Sequence, residues 1–111
     1  MQINMRSVKD ITIIDIIGEF ELYESSKILA TVDDKIKENN RKFVMNFEHV
    51  TYVDSSGIKT LIKCLEHIKA VNGNLVMINI QGSIKRIFEL TKLIDFFSFS
   101  KTEDEAVKSL S

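Results

Sequence analysis

The chain has no proline and no tryptophan, four glycines and one cysteine in 111 residues. With Cys64 alone there is no internal disulfide, which fits a reducing compartment. The opening Met1-Gln2-Ile3-Asn4-Met5-Arg6 lacks the apolar stretch of a secretory signal, and no apolar run in the sequence is long enough to span a bilayer. Charge of one sign is missing too: fifteen Lys and Arg stand against sixteen Asp and Glu, for a net charge of -1. That balance provides no field to hold nucleic acid or an anionic membrane, so any partner must be recognised locally. The expectation is a cytoplasmic protein with no direct nucleic-acid binding and no membrane insertion.

What is present is a hydrophobic content of 44% beside 28% charged residues, with no low-complexity tract. This is the composition of a folded domain, and residues 1–111 are expected to form a single one that buries its core without disulfide or metal.

Short strands are expected at Ile3–Val8 and Ile11–Ile17, the second rich in β-branched residues, with Lys9-Asp10 as the hairpin turn. Gly18-Glu19-Phe20-Glu21-Leu22 breaks that run, and Glu24-Ser25-Ser26 supplies cap chemistry for a helix carried by Leu29, Val32 and Ile36. Lys42–Phe47 reads as a buried strand ended by Glu48 and His49. After Asp54-Ser55-Ser56-Gly57, the residues Ile58, Leu61, Ile62, Leu65 and Ile68 recur at the spacing of an amphipathic helix, which stops at Asn72-Gly73-Asn74. A fourth strand follows at Leu75–Ile80, then a short helix from Gly82-Ser83 with Ile84, Ile87, Phe88 and Thr91 on one side. An edge strand through Phe96 to Phe99 and a last helix with the capping box Thr102/Glu105 complete the pattern. Strands alternating with helices after a hairpin predict an α/β (α+β layered) fold: one mixed sheet of four to five strands with about four helices packed mainly on one face.

In such sheets functional groups gather beyond the carboxyl ends of strands, where Asp54 and Ser55 fall. Asp and Ser at this point are ordinary helix caps. The same position suits an added phosphate, because the leading amides and the helix dipole favour negative charge.

Asp54-Ser55-Ser56-Gly57, between an apolar strand and an apolar helix, resembles the signature of bacterial anti-sigma factor antagonists, the STAS domain family. Gly18-Glu19-Phe20-Glu21 resembles that family's Gly-Glu-apolar-Asp turn, and Ser83-Ile84-Lys85-Arg86-Ile87-Phe88-Glu89-Leu90, with Leu93 following, resembles its late helix. The three segments occur in the family's order over almost the whole chain. The resemblance implies a protein that is not an enzyme and carries no cofactor. Its unphosphorylated form binds an anti-sigma factor that is a serine kinase and so releases a sigma factor. Phosphorylation of the first serine after the aspartate, here Ser55 with Ser56 as the alternative, ends binding, and a PP2C-type phosphatase restores it. The partner surface it implies comprises Asp54, Ser56, Gly57, Ile58, Lys59, Glu19 and Glu21. Asp54 can serve as cap or contact, Glu19 and Glu21 as contacts or as a solvated turn, and Lys59 as a phosphate partner or a solvated helix residue. The chain departs from the pattern at Glu21, one methylene longer than Asp, at Lys59, where a small residue is usual, and at Thr91-Lys92.

Other constellations weigh less. His49, His67 and Cys64 lack metal-ligand spacing, so no metal is expected. Ser55 has no Gly-x-Ser-x-Gly elbow around it, and neither glycine-rich nucleotide motif occurs. Phe96, Phe97 and Phe99 serve as core or as a partly exposed patch. Two alternatives remain: a scaffold subunit of a stress-signalling or lipid-transport complex, and a phospho-aspartate receiver using Asp54 with Asp10 or Asp15 and Lys101 as helpers.

Overall fold

The computed structural model describes residues 1–21 and 24–111. Its strands β1 (Gln2–Val8), β2 (Ile11–Phe20), β3 (Lys42–Val53), β4 (Asn74–Ile78) and β5 (Ser98–Ser100) form one sheet in sequential order. β1 pairs antiparallel with β2, through a turn in which Lys9 adopts a φ of 56°, and the remaining neighbours are parallel. Among the described residues four helices connect or follow the strands: α1 (Ser25–Lys37), α2 (Ser55–Ala70), α3 (Gly82–Leu90) and α4 (Glu103–Leu110).

The apolar residues of β2 occupy both parities, and this decides the layering. Ile14, Ile16 and Phe20 join Phe43, Met45, Leu75 and Met77 in a core against α1, α2 and α3, which contribute Ile28, Val32, Leu61, Ile68, Ile84 and Phe88. Ile11 and Ile13 point the other way, with Val44, Val76 and Ile78, and are covered by Ala106 and Leu110 of α4. So three helices lie on one face and α4 lies on the opposite one. Each fully buried Ile, Leu or Phe contributes about 1.5–3 kcal/mol through burial. Truncation of Leu61, fully buried at the centre of the larger core, would cost about 2–5 kcal/mol.

Several boundaries differ from the sequence expectation. β2 does not break at Gly18 but passes through it at a φ of 102° and continues to Phe20. Leu22, the end of the expected break, lies outside the described residues. β3 does not end at Glu48 and His49; it runs on to Val53 because its pairing with β2 shifts register twice. Each shift places an additional β3 residue opposite β2, so Phe47, Val50 and Val53 face the same core at intervals of three rather than two. Glu48, His49, Thr51 and Tyr52 occupy the exposed positions between them. β4 stops at Ile78, two residues early, because Asn79 turns to a φ of 58° and its side chain donates to Asn46. β5 is Ser98–Ser100 rather than Phe96–Phe99; Phe97 is buried and Phe96 exposed.

Two caps also differ. Ser25 does not cap α1: it is buried inside the helix and accepts a hydrogen bond from Thr60 of α2 (3.1 Å), while the N-cap position is Glu24. At α4, Thr102 Oγ1 accepts from the Glu105 amide as a capping box requires, but the Glu105 carboxylate accepts from the Lys101 amide.

A polar relay crosses the sheet on the α4 side. Arg6 makes a two-pronged ion pair with Asp15 (2.7 and 2.9 Å) and a further one with Glu103 of α4 (2.7 Å). Asn46 donates to Asp15, and Asn79 donates to Asn46, so neighbouring strands are stitched in series. The Arg6 hydrogen bonds hold the Asp15 carboxyl below its ordinary range against the opposing effect of burial, with Asn46 adding to the depression. The guanidinium is in turn raised, first by Asp15 and then by Glu103.

Candidate functional site

The long β3 carries the chain past the end of β4, and its last residue leads directly into α2. There the Asp54 amide donates to the Phe20 carbonyl (3.2 Å), fastening the end of β3 to the end of β2. Asp54 has extended backbone angles and its Oδ1 accepts from the Gly57 amide (2.7 Å), while its carbonyl accepts the first intrahelical bond from Ile58 (3.0 Å). The cap role is therefore filled by Asp54, with the geometry that suits Asp to helix starts. The amides of Ser55, Ser56 and Gly57 precede that first intrahelical bond and form the positive end of a sixteen-residue helix.

Gly57 is set by space rather than by φ. A Cβ there would lie 2.5 Å from the Phe20 carbonyl oxygen, 2.6 Å from its ring and 3.1 Å from Val53, so only glycine lets α2 approach β2 this closely. Ile58 is buried in the core below, anchoring the first turn from the other side. With both sides of the turn held, the serines are presented by a fixed backbone. Ser55 is exposed and Ser56 half-buried.

The rim around Ser55 collects part of the predicted set. Glu19 is exposed at the end of β2, paired in register with Tyr52, which is itself 50% exposed. Glu21 follows, half-buried, and its carbonyl receives the amides of Glu24 and Ser25 at the start of α1. Lys59 is exposed one turn into α2, four residues from Ser55, the spacing at which side chains on a helix meet. Sequence reasoning named Phe20 only as the apolar residue of the Gly18–Glu21 turn and gave neither it nor Tyr52 a place at this turn. The three-residue spacing of Phe47, Val50 and Val53 and the glycine at 57 were the signals that β3 continues and that something packs against the turn.

The receiver arrangement fails on geometry. Asp10 lies in the β1–β2 turn, at the opposite end of the parallel strands from Asp54, and pairs with Lys42 (3.0 Å). Asp15 is engaged by Arg6 and Asn46 in the relay, and Lys101 lines a separate cleft beyond β5. Among the described residues no group of three or more His, Cys, Asp or Glu side chains gathers as a metal site. His67 instead pairs with Asp33 across α1 and α2 (2.8 Å). Cys64 is fully buried, and burial pushes its thiol up to about 12. Among the described residues no helix is long and apolar enough to cross a membrane.

A mixed sheet with three helices on one face, a fourth on the other, and a capped Asp-Ser-Ser-Gly turn at the end of a central strand defines the class to which the molecule can be compared. Residues 2–106 match the STAS domain, and the chain belongs to that family. An anti-sigma-B factor antagonist of Staphylococcus aureus is 26% identical over 78 residues, covering 70% of this chain and 72% of that protein. The solved anti-sigma factor antagonist of Mycobacterium paratuberculosis superposes with a TM-score of 0.86 at 16% identity, covering 98% of this chain and 92% of the other. The anti-sigma factor antagonist SpoIIAA in its unphosphorylated form gives 0.83 at 22% identity, covering 97% and 95% respectively. The fold expected from sequence is thus the fold observed and is shared with these proteins.

Proposed function

We propose that this chain is an anti-sigma factor antagonist, a regulatory binding module of the cytoplasm in which residues 1–111 act as one domain. In its unphosphorylated form it binds a kinase-type anti-sigma factor and so releases a sigma factor. Phosphorylation at Ser55 ends that interaction and a PP2C-type phosphatase restores it. The reading is supported by the names of the relatives and, in this molecule, by one observation above all: an exposed hydroxyl on a rigidly held first turn, at the positive end of a long helix.

That geometry favours Ser55 over Ser56. A kinase must bring the hydroxyl into line with a bound nucleotide, and the exposed Ser55 allows it. A phosphate at half-buried Ser56 would have to lose part of its hydration, a cost the open site avoids. At Ser55 the added charge of about -1.5 to -2 sits near the helix N-terminus, where an anion is favoured by about 0.3–1 kcal/mol, so the domain keeps its structure. The surface changes instead. Asp54, Glu19 and Glu21 already make the rim acidic, and a partner fitted to a neutral hydroxyl then meets a bulkier, more negative group. A coupling of about 1–3 kcal/mol lowers affinity by roughly 5- to 150-fold, enough to release the partner. Gly57 and Ile58 support the turn, while Asp54, Ser56, Lys59, Glu19 and Glu21 form the contact rim.

The test is site mapping by mass spectrometry after incubation with a kinase-type anti-sigma factor and ATP. Phosphate is expected on Ser55, lost in Ser55→Ala and kept in Ser56→Ala. Stoichiometric phosphorylation of the Ser55→Ala protein would refute the assignment.

A further inference from the structure

A concave site separate from the Ser55 turn lies beyond the carboxyl ends of β4 and β5, beside the first turn of α3. This cleft of about 640 Å³ is within the roughly 300–1,000 Å³ that small-molecule sites occupy. None of Glu19, Asp54, Ser55 or Lys59 lines it. Its walls are apolar, formed by Ile80, Ile94 and Phe99, and its charged groups are Lys85, Lys101 and Glu48. Among the described residues neither lysine ammonium has a carboxylate within ion-pair distance, whereas the Glu48 carboxylate has His49 at 4.0 Å.

The rim of the cleft is fixed by side-chain hydrogen bonds. The Gln81 side-chain amide, at the position preceding α3, does not cap that helix but donates to the Glu48 carbonyl, tying the two sides together. Asn79, in the left-handed region at a φ of 58°, is locked through Asn46 to Asp15 and Arg6. The site is thus built before any ligand arrives, which lowers the ordering cost of binding.

We infer that this cleft binds a small hydrophobic monoanion, its apolar body against Ile80, Ile94 and Phe99 and its charged head between Lys85 and Lys101. The charge count selects the ligand: two ammonium groups against one carboxylate leave a single positive charge, which one negative charge neutralises. A phosphate monoester, carrying close to two charges, would over-fill it beside Glu48. The inference stands on this cleft alone and is independent of phosphorylation at Ser55.

The experiment is a nitrogen–proton correlation titration of the full chain at pH 7.5 with octanoate, with octanol as the neutral analogue of the same body and adenosine monophosphate as the dianion. Octanoate is expected to shift the amides of 79–81, 85, 94 and 99–101 saturably, with a Kd on the order of 1 mM or tighter. Octanol is expected to bind more weakly. Both lysines are exposed, so the Lys85→Gln/Lys101→Gln protein should fold, its spectrum reporting that directly, and its octanoate affinity should fall roughly five- to tenfold. Absence of saturable shifts at these residues, equal affinity for octanol, an unchanged Kd in the double variant, or tighter binding of the monophosphate would each overturn the proposal.

Discussion

Replacing Gly57 by alanine isolates the contact on which the presentation of Ser55 depends. By helix propensity the substitution should stabilise α2, by up to about 1 kcal/mol. The structure predicts the opposite sign. The new Cβ would fall 2.5 Å from the Phe20 carbonyl oxygen and 2.6 Å from the Phe20 ring. The ring could tilt, but the carbonyl belongs to β2 and also accepts from the Asp54 amide, so relief requires α2 to lift away from the sheet. Overpacking of this kind costs about 1–3 kcal/mol, more where backbone must move. Net of propensity, Gly57→Ala should lose about 1–2 kcal/mol, read as a lower urea midpoint at unchanged m-value. Gly82→Ala is the internal control, because among the described residues a Cβ there meets nothing within 4 Å, and it should be neutral or slightly stabilising. A Gly57→Ala protein as stable as its parent, or more so, would show that α2 does not approach β2 as described.

Three further outcomes follow from the same contacts. Asp54→Ala removes the cap on Gly57 and should lower stability by about 0.5–2 kcal/mol in urea unfolding, with Asp54→Asn recovering most of it. Because the folded-state Asp15 carboxyl lies below its unfolded value of 3.8, its contribution is complete above that pH and lost as pH falls through the folded value. Arg6→Met should therefore flatten the acid limb of the stability–pH curve, costing at most about 1 kcal/mol at neutral pH given that solvent reaches Arg6; an unchanged acid limb would refute the pairing. Cys64, buried and with its thiol pushed up to about 12, should react with iodoacetamide at pH 8 only as fast as the protein unfolds. Rapid alkylation of the native protein would contradict that placement.

Much of the architecture was legible because its signals are local. The β-branched run Ile11–Ile17, the helical spacing of Ile58, Leu61, Leu65 and Ile68, and the Asn72-Gly73 stop all appear where the pattern puts them, with Asn72 at a φ of 62°. The position of α4 was legible in part: Ile11 and Ile13 alternate with Thr12, but the adjacent pair Ile13-Ile14 places apolar side chains on both faces, which calls for cover on each. What failed was pairing-dependent. Two register shifts convert a period of two into three across Phe47, Val50 and Val53, so exposed Glu48 and His49 resembled a strand end while lying mid-strand. Gly18 resembled a break because glycine also marks an irregularity within a strand: it takes a φ of 102° at the second register shift. Ser25 resembled a cap because its partner, Thr60, is thirty-five residues away. At the candidate site, Asp54, Ser55 and Gly57 were readable from their types, but Phe20 and Tyr52 come into place only when β2 and β3 are extended together.

Under the proposed function, charge at position 55 changes a surface and not a fold. The test is to phosphorylate the protein to completion and measure its affinity for the proposed partner, a kinase-type anti-sigma factor, beside that of the unmodified protein, with correlation spectra of both. Affinity is expected to be lower by roughly 5- to 150-fold, with spectral changes confined to the start of α2 and the Glu19–Glu21 rim. Equal affinities, or a spectrum altered throughout the sheet, would contradict it.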